Sequence, residues 1–114
     1  MRRLLDRFDL RNSHFVYETE LGFEVIQVDQ HGVEYKYPVS QETVDLLCTI
    51  CLGECVTAEE ASLRLAPHAR KLGIPYHYGH KLRYYTQEVL LALSATGRAT
   101  IRKVGRRFEY QVTG

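Results

Sequence analysis

Apolar and polar residues alternate with period two from His14 to Val39, and after Ser40 the period lengthens to that of a helix. The stretch "HFVYETELGFEVIQVDQHGVEYKYPV" predicts three strands, about 14–20, 23–29 and 33–38, punctuated by turns at Leu21-Gly22 and His31-Gly32. A two-residue turn at Leu21-Gly22 would set Tyr17 opposite Ile26 and Phe15 opposite Val28 on one face, leaving Glu18, Glu20 and Glu24 in water. The expected element is an acidic, one-sided antiparallel sheet ended by Pro38. Ahead of it, Leu4, Leu5 and Phe8 oppose Arg2, Arg3 and Arg7, which fits a short amphipathic helix or a frayed terminus.

Ser40 stands as an N-cap with Glu42 in the first turn, and Val44, Leu47, Cys48 and Cys51 follow at helical spacing until Gly53. Thr57-Ala-Glu-Glu60 is a capping box, and the helix it opens stops at Ala66 because Pro67 follows; its buried side is Ala61 and Leu65, with Ala58 beside them. Gly73, Pro75 and Gly79 keep the next segment irregular, with room for one helical turn over Pro67–Leu72. "HKLRYYTQEVLLALSATG" then places Leu82, Tyr85, Val89 and Leu93 on one stripe, with Lys81, Arg83, Tyr84, Gln87 and Glu88 opposite and Gly97 as the stop.

The last element, "RATIRKVGRRFEYQV", reads as a hairpin about Gly105-Arg106, because Gly at the first central position suits a type II′ turn. Val104 then pairs with Arg107, Lys103 with Phe108, Arg102 with Glu109, Ile101 with Tyr110, Thr100 with Gln111 and Ala99 with Val112. One face is apolar. The tip carries Lys103, Arg106 and Arg107 with only Glu109 nearby, a concentration of charge that folding does not require.

Charge changes the picture further. Residues 1–60 hold 5 Lys/Arg and 12 Asp/Glu, a net −7, whereas residues 61–114 hold 10 and 2, a net +8, so the overall +1 conceals two opposed halves. Such asymmetry points to a basic surface for a polyanion, with nucleic acid first and an anionic membrane second; mutual neutralisation of the halves is the plain alternative. A chain of 114 residues predicts a single domain, with 1–39 as an N-terminal helix/β extension and 40–114 as its core. No apolar run approaches a bilayer span, the N-terminus lacks a signal-peptide core, and three cysteines argue against a secreted disulfide framework. A cytoplasmic protein with no membrane partner is expected.

From Ser40 onward the order of elements resembles a winged helix-turn-helix domain, over residues 40–112. "VTAEEASLRLA" corresponds to the first helix of the motif, "HKLRYYTQEVLLALSATG" to the recognition helix and "RATIRKVGRRFEYQV" to the wing. The fold implied is α+β, a winged-helix-like three-helix core with a C-terminal β-hairpin wing, preceded by a small N-terminal antiparallel β-segment. The resemblance implies a recognition helix over about 79–96 that enters the major groove of double-stranded DNA by its N-terminal end. It nominates His80, Lys81, Arg83, Tyr84 and Gln87 on the helix and Arg102, Lys103, Arg106 and Arg107 on the wing as DNA-binding residues. Arg reads guanine and Gln reads adenine, so Arg83 and Gln87 are the base-contact candidates, and the wing cations would meet phosphate. A transcriptional regulator acting as a homodimer is the expectation. The alternatives are a non-catalytic adaptor meeting an acidic protein, or a binder of RNA or single strands through Tyr76, Tyr78, Tyr84 and Tyr85.

Other chemistry is less specific. Cys48, Cys51 and Cys55 with His77 and His80 allow a zinc or iron–sulfur site to be drawn, but Cys48 and Cys51 share the apolar face of Val44 and Leu47 and the spacings miss those of zinc fingers. Buried structural cysteine is the expectation, with no metal and no cofactor. No phosphate loop, nucleophile elbow or zincin motif occurs, and only Glu88 and Glu109 supply acid in the basic half, so no catalysis is expected.

Overall fold

The alternating segment from His14 to Val39 folds as the three strands expected of it, and a fourth strand precedes them. The computed structural model describes residues 2–114, in which β1 (Arg3–Asp9), β2 (Ser13–Thr19), β3 (Gly22–Val28) and β4 (Glu34–Ser40) form an antiparallel meander in that order. The expected N-terminal helix is therefore a strand. Its register shifts between Leu4 and Asp6, and the resulting bulge lets Leu5 and Phe8 both pack against the core. A three-residue apolar spacing, which in sequence looks helical, is thus met by a strand with one extra residue.

The β2–β3 turn lies at Glu20-Leu21, two residues of register away from a turn at Leu21-Gly22, so that Phe15 faces Ile26 and Tyr17 faces Glu24. Gly22 explains the difference. It belongs to β3 opposite Ser40 with φ +137°, and a Cβ there would meet Val39 O and Gln41 N at 2.7 Å, so only glycine lets β4 and the following helix approach. The core face is also the reverse of the one expected. His14, Val16, Phe23, Val25 and Val39 point inward, while Phe15 and Tyr17 lie outside beneath Arg7 and Arg2, whose guanidinium carbons sit 5.1 and 4.4 Å from the ring centroids. Pro38 does not end the sheet; it sits within β4, an edge strand, where its missing N–H breaks no ladder bond, and Tyr85 Oη donates to its carbonyl at 3.1 Å.

The helices follow the sequence signals closely. In α1 (Gln41–Ile50), Ser40 Oγ accepts from Thr43 N at 3.1 Å. In α2 (Ala58–Leu65), the Thr57–Glu60 capping box forms in both directions, a cap worth about 1 kcal/mol. A 3₁₀ turn, Ala66–His68, continues from Pro67 before the irregular segment. In α3 (Gly79–Ala95), Arg98 N bonds Leu93 O at 2.9 Å and Gly97 N bonds Ser94 O at 3.2 Å, a Schellman stop that uses the positive φ of Gly97.

After α3 the chain forms β6 (Ala99–Val104) and β7 (Arg107–Val112) in the register read from the sequence, pair for pair. Gly105 has φ +64° and Arg106 a negative φ, as a type II′ turn requires. A two-residue strand that the pattern did not reveal, β5 (Cys55–Val56), joins the other side of β7 and gives the sheet order β5-β7-β6. The molecule is α+β, with three helices and two antiparallel sheets. One apolar cluster runs from Val16 to Val112, and α3 passes through it with helices α1 and α2 and both sheets around it. No helix among the described residues is long and apolar enough to cross a membrane.

Candidate nucleic-acid interface

The two halves of α3 differ in their surroundings. From Glu88 to Leu93 six consecutive residues are buried, so the helix there is enclosed on every side. Its first two turns have one open face. His80, Lys81 and Tyr84 are exposed there, Arg83 and Gln87 are half-buried, and the Arg83 guanidinium carbon lies 5.2 Å from the Tyr84 ring centroid. Only this half of the helix can meet a ligand, which is the half that reads bases when a helix lies in a major groove.

A cleft of about 760 Å³ opens beside these turns. Arg83, Tyr84 and Gln87 form one wall, the N-terminal sheet supplies His14, Gln27, Tyr35 and Tyr37 on the other, and Arg106, Arg107, Phe108 and Tyr110 close it from the hairpin. Five of the nine nominated residues thus come together. His80, Lys81, Arg102 and Lys103 lie outside the cleft, on the first turn of α3 and along the hairpin. Arg102 and Arg107 share Glu109 at 3.2 and 2.9 Å, and the Cys55 thiol with these arginines holds Glu109 below the usual carboxylate range. Lys81, Arg83, Lys103 and Arg106 have no carboxylate partner among the described residues.

Beneath the cleft lies a polar group that joins the sheet to the helix. His14, 1% exposed, and Glu88, 0% exposed, meet through Nδ1 and Oε2 at 2.9 Å. Gln27 Nε2 donates to Glu88 Oε1 at 3.5 Å, and Gln87 Nε2 lies 3.4 Å from His14 Nε2. Burial drives the Glu88 carboxyl above its ordinary pKa, and the contact with His14 opposes this in part. Glu88 in turn adds to the rise that burial imposes on the phenols of Tyr37, pushed up to about 12, and Tyr110.

Scans of the chain against protein-family models, curated proteins and solved structures find no match.

Glu88 corrects an expectation, since the sequence placed it on the solvent side of the last helix. Two signals could have found it. It is flanked at three and four residues by Tyr85, Leu91 and Ala92, all apolar, and His14 shares the inward parity of Val16. The cysteine–histidine constellation is not assembled: Cys48 and Cys51 are buried in the core, Cys55 is exposed on β5, and no group of three metal-ligating side chains occurs among the described residues. Of the four tyrosines, Tyr85 is buried and tilts against Tyr76 at 6.1 Å, while Tyr78 and Tyr84 are exposed.

Proposed function

We propose that this is a winged-helix DNA-binding protein that regulates transcription, with α3 as its recognition helix and the β6–β7 hairpin as its wing. The element order α1, β5, α2, α3, β6, β7, with β5 paired onto the hairpin, supports the winged-helix reading. The observation that carries the functional reading is the convergence of Arg83, Tyr84 and Gln87 on the open half of α3 with Arg106 and Arg107 of the hairpin around one cleft. Arg83 and Gln87 present the donors that read guanine and adenine, and Lys103 and Arg106 stand free to meet phosphate. Fluorescence anisotropy of labelled random duplex at about 50 and 200 mM salt tests this. Binding that falls steeply between the two supports it; absence of binding at the lower salt overturns it.

A second reading, binding of single strands, draws on the aromatic walls of the cleft, where Tyr35 and Tyr84 are exposed enough to stack on bases. The same titration with a single strand separates the two, because the stronger ligand identifies the partner.

A further inference from the structure

The cleft beside α3 contains more recognition chemistry than binding to phosphate requires. We infer that it is a binding site for one unpaired purine nucleotide, with the base against the tyrosines and amides and the phosphate at the arginine rim. Four guanidiniums line it; Arg107 is paired with Glu109, and the other three come from separate elements, Arg11 from the β1–β2 turn, Arg83 from α3 and Arg106 from the hairpin loop. None of these three has a carboxylate partner among the described residues. The lining also holds two carboxylates, Glu59 and Asp29, the latter engaged by the backbone N–H groups of His31 and Val33 at 2.8 and 3.0 Å, so four guanidiniums meet two carboxylates. An anion is the ligand this surplus favours.

A bare anion would leave the rest of the cleft unused. Tyr35, Tyr37 and Tyr84 line it, and flat aromatic faces are the complement of a nucleobase. Gln27 and Gln87 each have one long amide-nitrogen contact, of 3.5 and 3.4 Å, which leaves a second N–H, and their amide oxygens accept from no described side chain. Each can present a donor and an acceptor side by side, the pairing that adenine matches at N6 and N7. A volume of about 760 Å³ lies in the range of small-ligand sites.

The inference deepens the proposed function, since Arg83 and Arg106 would serve both ligands and a bound nucleotide would compete with DNA. Its test is nevertheless run on the free protein. In isothermal titration with AMP, adenosine and inorganic phosphate, AMP should saturate one site and the other two should bind at least about tenfold more weakly, since each lacks half of the recognised groups. Arg106→Ala and Tyr84→Ala, both at exposed positions, should each weaken AMP by about tenfold without moving Tm. No saturable AMP binding, phosphate binding as tight as AMP, or indifference to both variants would overturn the inference. A 5′-phosphorylated adenine trinucleotide that binds much more tightly than AMP would assign the nucleotide to a strand, and equal affinities would assign it to a free effector; either supports the site. AMP binding without duplex binding supports the site while removing the DNA-binding reading, whereas duplex binding without AMP binding overturns the site and leaves that reading intact.

Discussion

The N-terminal sheet and the C-terminal hairpin are both antiparallel and both rich in arginine, yet they treat the charge in opposite ways. On the sheet, Arg2 pairs with Glu24 and lies over Tyr17, Arg3 pairs with Glu18 at 2.9 Å, and Arg7 pairs with Asp9 at 3.0 Å while lying over Phe15. On the hairpin, Arg102 and Arg107 divide one carboxylate between them, and Lys103 and Arg106 have none. The opposed charges of the two halves cancel only in part: Arg64 with Glu54 and Arg98 with Asp45 pair across them, and the hairpin tip does not. The acidic half neutralises most of its own arginines, and the basic half leaves a surplus at the tip of the hairpin and the start of α3, where an external anion is the available partner.

The largest effect is expected from cutting the buried tie between the N-terminal sheet and α3. Glu88→Ala leaves His14 buried without its partner and should cost about 3 kcal/mol of stability, read from denaturant unfolding. Glu88→Gln keeps the shape and removes the charge, and its effect depends on pH. Burial raises Glu88 above the ordinary 4.5, so its contribution is complete below about that pH and is lost as pH rises through the raised folded value. The Tm of Glu88→Gln should therefore gain on the wild type as pH rises above about 4.5, in a pocket whose other titratable groups are His14, Tyr37 and Tyr110. A difference independent of pH would show that burial does not govern the carboxyl.

On the open half of α3, Arg83→Ala or Gln87→Ala should change the preferred sequence by about 1–3 kcal/mol of discrimination at one position, measured by selection from random duplexes. The smallest effect belongs to the sheet: Arg3→Ala removes an exposed pair and should alter stability by less than about 1 kcal/mol.

Local chemistry was legible in the sequence, and long-range placement was not. The hairpin register followed from one glycine and an alternation of five residues, and the caps at Ser40 and Thr57 and the stop at Gly97 are fixed by residues within a turn of each helix. By contrast, β1 was hidden by its bulge, because Leu5 and Phe8 carry a helix-like spacing on a strand. The β2–β3 register depended on how closely Gly22 approaches Val39 and Gln41, neighbours in space that lie nearly twenty residues further along the chain. Of the candidate site, the helix and hairpin residues were named from sequence, but the sheet wall and the His14–Glu88 floor were not, since 74 positions separate that pair and the local pattern around either residue does not name the other.

Removing the same charge from the sheet and from the hairpin separates the two surfaces. Arg3→Ala/Arg7→Ala on the sheet and Arg106→Ala/Arg107→Ala on the hairpin each subtract two arginines, so their net charges are equal. Duplex affinity measured by anisotropy against salt should be unchanged in the sheet variant and reduced in the hairpin variant, whose log–log salt slope should fall by about 0.9 for each phosphate that is no longer neutralised. Equal weakening in both variants, or none in either, would contradict the assignment of the hairpin and the start of α3 as the nucleic-acid surface.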